Sequence, residues 1–288
     1  TADGLSLATI TNTGKKGEPG KVILWNSDTG KPIGPVLAHP LAVSGLAFSP
    51  DGKTLATLCG DGKIRFWQTA TGTQSGTVLE QPGSGRLTYS PNGRLLLTGC
   101  GDKLARLWDL EKVQLIGTYP HPHLIYAVAV APGGKTILIG GHDRAARLWN
   151  VATAKPIGPP LTHPQPVNAV AFSPDGHIAV TGGEGKVQLW EAATGQPIGP
   201  TADSFRYAAR AIAFAPDGQN MVIGAQEAIC FSSIPLTMPG EPRAVTLSMQ
   251  ALTGLELTPD REIQALDGKT WNERCRELGK DGILQLPH

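Results

Sequence analysis

Charge is scarce in this chain. Asp, Glu, Lys and Arg make up 17% of its 288 residues, and 25 basic against 24 acidic side chains leave a formal net charge of +1. Proteins that bind nucleic acid or anionic membrane through charge usually present a dense basic face. The balance argues against both, although Arg206, Arg210, Arg243, Arg274 and Arg276 gather late in the chain. Cysteine is sparse too: four residues at irregular spacings give no disulfide framework, which fits a reducing compartment. Cys59 and Cys100 each precede a turn acid, Asp61 and Asp102, by two residues and read as small buried strand residues. No apolar run approaches the roughly 20 residues of a membrane span. The first residues show no leader of basic, apolar and small side chains. The expected location is the cytoplasm.

Glycine and proline are plentiful, at 36 and 24 residues, and both recur at fixed offsets. They punctuate a repeat. Trp25, Trp67, Trp108, Trp149 and Trp190 fall 42, 41, 41 and 41 residues apart, and Phe231 takes the next beat. A second mark keeps step: Ser49–Gly52 (SPDG), Ser90–Gly93 (SPNG), Ala131–Gly134 (APGG), Ser173–Gly176 (SPDG) and Ala215–Gly218 (APDG). Two independent marks on one period mean a structural unit copied in tandem. A period in the low forties with a Trp and a Gly/Pro turn is that of a four-stranded propeller blade. Each unit reads as strands separated by turns in which Pro presets φ, Asp bonds back to the backbone and Gly takes positive φ. The outer strand recurs as Lys31–Pro35, Lys155–Pro159 and Gln196–Pro200, where proline is tolerable because an edge strand can lose a ladder N–H.

With these motifs the chain resembles the WD40 repeat family from about residue 1 to residue 234. The matching phrases are Asp61…Ile64-Arg65-Phe66-Trp67, Asp102…Ala105-Arg106-Leu107-Trp108, Asp143…Ala146-Arg147-Leu148-Trp149 and Glu184…Val187-Gln188-Leu189-Trp190. The resemblance implies an all-β propeller of four-stranded antiparallel blades. About six are recognisable here, a number compatible with part of a seven-bladed ring. It also implies a buried tetrad of Trp, hydroxyl, His and Asp in each blade. Only His39, Thr57, Asp61 and Trp67 complete that set. The next unit has Gln81 near the histidine position, the one after has Ile139 where the hydroxyl belongs, and the fifth has Glu184 for Asp with Thr181 nearby. His, Asp and Thr in such a set recur once per blade. They are therefore a brace, since a catalytic nucleophile needs exposure beside a base and an oxyanion hole. His39, His121 and His163 sit on separate blades and do not converge on a metal. No cofactor, metal or catalytic residue is expected.

Thr1–Gly4 matches the SPDG turn, so the first blade lacks its inner strand. After residue 234 the pattern changes: a helix over 246–253, a hairpin of Leu255–Leu257 with Glu262–Leu266, and a helix over 268–278 are expected as a cap on the propeller. The domains are thus 1–234, the propeller, and 235–288, linker and cap. The phrases Leu252–Leu257 (LTGLEL) and Ala265–Gly279 (ALDGKTWNERCRELG), after strands such as Ala154–Pro164 (AKPIGPPLTHP), resemble the ends of certain bacterial WD40 proteins. Some of those carry the propeller downstream of a Ser/Thr protein kinase domain. No kinase motif occurs in this sequence.

The expected function is a non-catalytic protein–protein interaction scaffold, a regulatory or sensory propeller of a larger kinase-associated protein. Its candidate face comprises Leu41, His123, Arg144, Gln165, Arg206 and Tyr207, from the loops between blades and the turns before the Trp strands. Aromatic and Arg side chains dominate interface energies. The alternative is a small-ligand-binding or enzymatic propeller using the central funnel, but the inner strands carry no carboxylate.

Overall fold

The computed structural model describes residues 1, 4–12, 15, 17–215, 218–225, 229–233, 255–257 and 263–265; for 200–207, 229–233, 255–257 and 263–265 the description is of the backbone. Among the described residues every regular element is a strand. Blade 1 has three: β1 (Ser6–Asn12), β2 (Gly20–Asn26) and β3 (Leu37–His39). Blade 2 is β4 (Val43–Phe48), β5 (Thr54–Cys59), β6 (Lys63–Gln68) and β7 (Gln74–Glu80). Blade 3 is β8 (Gly85–Tyr89), β9 (Leu95–Cys100), β10 (Leu104–Asp109) and β11 (Gln114–Pro120). Blade 4 is β12 (Ile125–Val130), β13 (Thr136–Gly141), β14 (Ala145–Asn150) and β15 (Lys155–Thr162). Blade 5 is β16 (Ala169–Phe172), β17 (Ile178–Gly182), β18 (Glu184–Glu191) and the start of β19 (Pro197–Phe214).

Within each blade consecutive strands pair antiparallel, as short turns require. β19 does two jobs. Its first half is the outer strand of blade 5, and its second half is the inner strand of blade 6, pairing with β20 (Asn220–Ala225) and then β21 (Ile229–Ser233). The sequence pattern puts Arg206 and Tyr207 in a loop between those blades. They lie instead in the uninterrupted strand, because no Gly or Pro breaks the run between Pro200 and Ala215. A separate hairpin joins β22 (Leu255–Leu257) to β23 (Ile263–Ala265), in the segment whose sequence predicts one. The two helices expected at 246–253 and 268–278 lie outside the described residues.

The turn between the first two strands of a blade is built as its residues dictate. In Ser49–Gly52 the Ser49 hydroxyl donates to the Asp51 carboxylate at 2.6 Å and accepts from the Thr54 N–H at 2.9 Å, while Gly52 takes a φ of 70°. Ser90 and Ser173 repeat the pattern through Asn92 and Asp175. Ala131 and Ala215 keep only the backbone bonds.

Each apolar cluster straddles two blades. One joins Leu58, Ile64 and Phe66 of blade 2 to Leu87, Leu96 and Trp108 of blade 3. The others join blades 3 and 4, 4 and 5, 5 and 6, and 1 and 2. A blade is therefore not a folding unit by itself: its apolar faces are buried only by its neighbours, as in other repeat architectures. Three copies of one notch set the spacing. A Cβ on Gly99, Gly140 or Gly182 would fall within 2.5–2.7 Å of Ile125, Val167 or Ile212 on the inner strand of the next blade or the loop leading into it. The inner strands β4, β8, β12 and β16 and the second half of β19 stand side by side around a channel of about 880 Å³.

Filling a notch should therefore push two blades apart. Gly140→Ala is expected to destabilise the fold by about 1–3 kcal/mol, read as a lower urea midpoint. An unchanged midpoint would show that the blades are not held by this contact.

Candidate functional site

The polar residues that repeat from blade to blade turn out to be interior. Trp67 Nε1 donates to Thr57 Oγ1 at 2.8 Å, and Thr57 Oγ1 lies 2.8 Å from His39 Nε2. His39 Nδ1 is 3.0 Å from the Leu37 carbonyl, which can only accept, so Nδ1 carries the ring proton. His39 Nε2 must then accept, and Thr57 both receives the indole proton and donates its own. All three residues are buried. Blade 5 repeats the relay with Trp190, Thr181 and His163, at 2.7 Å and 2.5 Å. In blade 3, Thr98 accepts from Trp108 at 3.2 Å and donates to Gln81 Oε1 at 2.6 Å, so glutamine replaces histidine as the acceptor. Blade 1 has the same bond from Trp25 to Thr9 at 2.8 Å.

The fourth tetrad member makes a different contact. Asp61 forms a two-pronged ion pair with Arg65, at 2.6 and 3.1 Å, rather than a bond to His39. Asp102 does the same with Arg106, whereas Asp143 meets Arg147 through Oδ2 alone, at 2.7 Å, with Oδ1 3.6 Å from His121 Nε2. Burial alone would raise the Asp61 pKa, but the guanidinium and neighbouring donors overcome it and hold the carboxyl down at about 2. In blade 4 the hydroxyl is missing and the network rearranges. Ile139 stands opposite Arg147, Trp149 Nε1 has no partner, and Arg147 moves in to donate to His121 Nε2 at 3.0 Å.

None of these groups is placed for chemistry on a substrate. Cys59 and Cys100 are buried free thiols, and burial raises the Cys100 thiol to about 11, which removes it as a nucleophile at neutral pH. Among the described residues no cluster of His, Cys, Asp or Glu could hold a metal.

The candidate face lies at one end of the blades. There the loops between blades are tied to the turns ahead of the Trp strands: Gly101 N–H bonds Ser84 O at 3.2 Å, His142 N–H bonds Leu124 O at 3.0 Å, and Val167 N–H bonds Gly141 O at 3.1 Å. His123, Arg144 and Gln165 are exposed on these segments, and Leu41 is half-buried, with its carbonyl receiving Gly20 N–H and the Cys59 thiol. Arg206 and Tyr207 lie on the β19 backbone nearby in sequence. The structure adds two residues that no repeated motif marks. The His142 ring is centred 6.0 Å from that of His123 and meets Tyr126 edge-on at 5.8 Å. His142 also lines the central channel, with Arg86, Asn168, Glu184 and Arg210. Glu184 reaches the channel because Gln188 replaces the arginine that engages the acid in blades 2 to 4; the Gln188 amide is spent on the carbonyls of Leu189, Ile198 and Gly199.

The four-stranded sheets, their indole-to-hydroxyl bonds and the repeated turns define a WD40-type β-propeller. Residues 30–68, 84–109, 113–150 and 155–191 match the WD40 family, described as WD domain, G-beta repeat. The chain is also similar to a Periodic tryptophan protein 2 homolog of Dictyostelium discoideum, 33% identical over 85 residues, covering 28% of this chain and 9% of that protein. An Anaphase-promoting complex subunit cdh1 of the same organism is 40% identical over 47 residues, covering 16% and 6%. The chain thus spans less than a tenth of either relative. WD40 repeats are generally protein-interaction scaffolds. No helix among the described residues is long and apolar enough to cross a membrane.

The buried histidines make the fold acid-sensitive. Burial, reinforced by Lys186, lowers the His163 pKa to about 4, and burial also lowers those of His39 and His121. The unfolded chain takes up these protons near pH 6.5, whereas the folded chain resists. Stability is therefore full above about pH 6.5 and falls as pH drops toward 4, with His163 alone contributing on the order of 3 kcal/mol. Asp61 adds a second loss between its ordinary pKa and about 2. His163→Gln, which copies the native Gln81, keeps an acceptor for Thr181 without the titration. Its thermal midpoint should fall less between pH 7 and pH 5 than that of the parent. An equal fall in both proteins would refute this assignment.

Proposed function

We propose that this chain is a non-catalytic protein-binding scaffold, the regulatory or sensory propeller of a larger, bacterial, kinase-associated protein acting in the cytoplasm. The propeller comprises 1–234, and 235–288 form a linker and cap packed on it. Partners dock on the loop face through Leu41, His123, Arg144, Gln165, Arg206 and Tyr207. A single observation carries this reading: the histidines, threonines and tryptophans that repeat are locked inside the blades, while the side chains exposed on the loop face do not repeat. Rigid scaffolds that display varied loops are recognition devices. The kinase association rests on the resemblance of the C-terminal phrases alone. A channel-based enzyme is a weaker reading, since Glu184 is the single carboxylate among the described residues that line the channel.

The test is affinity capture from the source organism, with bound proteins identified by mass spectrometry. A defined set should be retained by the parent chain and by Lys112→Ala, whose site lies on a turn at the opposite end of the blades. His123→Ala/Arg144→Ala should lose that set, and a Ser/Thr kinase is expected within it or in the same full-length chain. Equal capture by all three proteins would remove this face from the account. Capture of nothing by the parent would count against the scaffold reading itself.

A further inference from the structure

Four turns on the loop face share one backbone geometry. The residue five before each tryptophan has positive φ: 78° at Gly62, 68° at Lys103, 61° at Arg144 and 66° at Gly185. The conformation aims a carbonyl at the outer strand of the same blade. Gln81 N–H bonds Gly62 O at 2.8 Å, His121 N–H bonds Lys103 O at 2.8 Å, and His163 N–H bonds Arg144 O at 2.7 Å. Glycine takes this conformation freely, whereas a long side chain there costs on the order of 1 kcal/mol. Two adjacent blades nevertheless place a cation at the strained position. Strain of this kind clusters at binding and active sites; Val113 and Ala154 share it on turns at the opposite end, so the two cations must be judged by their surroundings.

The surroundings say what the cations are for. Lys103 and Arg144 are exposed and have no ion-pair partner among the described residues. The carboxylates of their own turns are already taken, Asp102 by Arg106 and Asp143 by Arg147. Lys63, by contrast, pairs with Glu80 at 3.6 Å. Arg86, exposed on the inner strand of blade 3, adds a third positive charge at the channel. On the turn that carries Arg144, the His142 N–H bonds the carbonyl of Leu124, which is 43% exposed, and the His142 ring meets those of His123 and Tyr126.

We propose that blades 3 and 4 bind an acidic, extended segment of a partner protein. Its carboxylates meet Lys103, Arg144 and Arg86, and an apolar or aromatic side chain rests on Leu124 and Tyr126. Charge complementarity selects the occupant. Nucleic acid is disfavoured because the cations are few and Glu184 stands on the channel wall. This proposal rests on the scaffold reading and names the chemistry of its partner.

The probe is a fluorescein-labelled random copolymer of glutamate and tyrosine, titrated with the whole chain and followed by anisotropy. Saturable binding is expected, weakening as salt rises from low concentration to about 150 mM. Lys103→Gly/Arg144→Gly should bind at least about tenfold more weakly with an undiminished thermal midpoint, because glycine suits the positive φ. Lys103→Asn/Arg144→Asn, also tolerant of that geometry, provides a second variant. Equal binding by both variants would overturn the proposal, as would no saturable binding by the parent or tighter binding of an oligothymidylate. If the copolymer fails while affinity capture still depends on His123 and Arg144, the scaffold reading stands and the acidic-segment assignment falls.

Discussion

One hydrogen bond organises blades 1, 2, 3 and 5: the indole N–H of the Trp strand donating to a threonine hydroxyl on the strand before it. The indole must be buried to fill the space between blades, and a buried N–H without an acceptor costs about 1–3 kcal/mol. The acceptor has one place to stand, opposite the residue two before the tryptophan. Thr9 faces Ile23, Thr57 faces Arg65, Thr98 faces Arg106 and Thr181 faces Gln188. The hydroxyl then has its own proton to place, and His39, Gln81 or His163 receives it. The second and third strands of one blade are thereby tied by side chains to the end of the outer strand of the blade before it. Where the donor is missing the acceptor is missing too: in blade 6 Phe231 occupies the tryptophan beat and Gly224 faces Ile229.

Most of the architecture is legible in the sequence because it is periodic. The Trp interval and the SPDG-type turns place the strands of blades 2 to 5 to within a few residues. The relay is only partly legible. Thr57, Thr98 and Thr181 lie ten, ten and nine residues before their tryptophans, but Thr9 lies sixteen before Trp25, and the longer turn hides it until the register is known. The role of Asp61 is hidden for a different reason. The spacing puts the acid, the arginine and the histidine in one repeat unit, and only geometry shows that the bidentate guanidinium contact wins over the imidazole. Arg206 and Tyr207 belong to an expected loop, and the long strand β19 occupies that place. His142 and Tyr126 belong to no motif, so no pattern could have singled them out.

The division between what repeats and what varies bears on function. The repeated histidines, threonines and tryptophans are buried, and in blades 2 and 5 they are bonded to one another, which suits rigidity. The departures from the repeat have visible consequences. Gln188 in place of arginine frees Glu184 toward the channel, and Lys103 and Arg144 in place of glycine set two unpaired cations on one face. A scaffold can tolerate such departures because blades 3 to 5, which carry them, are each held from both sides by their neighbours.

The indole bond can be observed directly. In a chain labelled with 15N-tryptophan, the side-chain N–H resonances of Trp25, Trp67, Trp108 and Trp190 should shift downfield as hydrogen-bonded donors. That of Trp149, identified by its loss in Trp149→Phe, should lie upfield of all four. Thr57→Val should move the Trp67 resonance and leave the other three in place. A Trp149 resonance within the bonded group, or a Trp67 resonance indifferent to Thr57, would contradict the account.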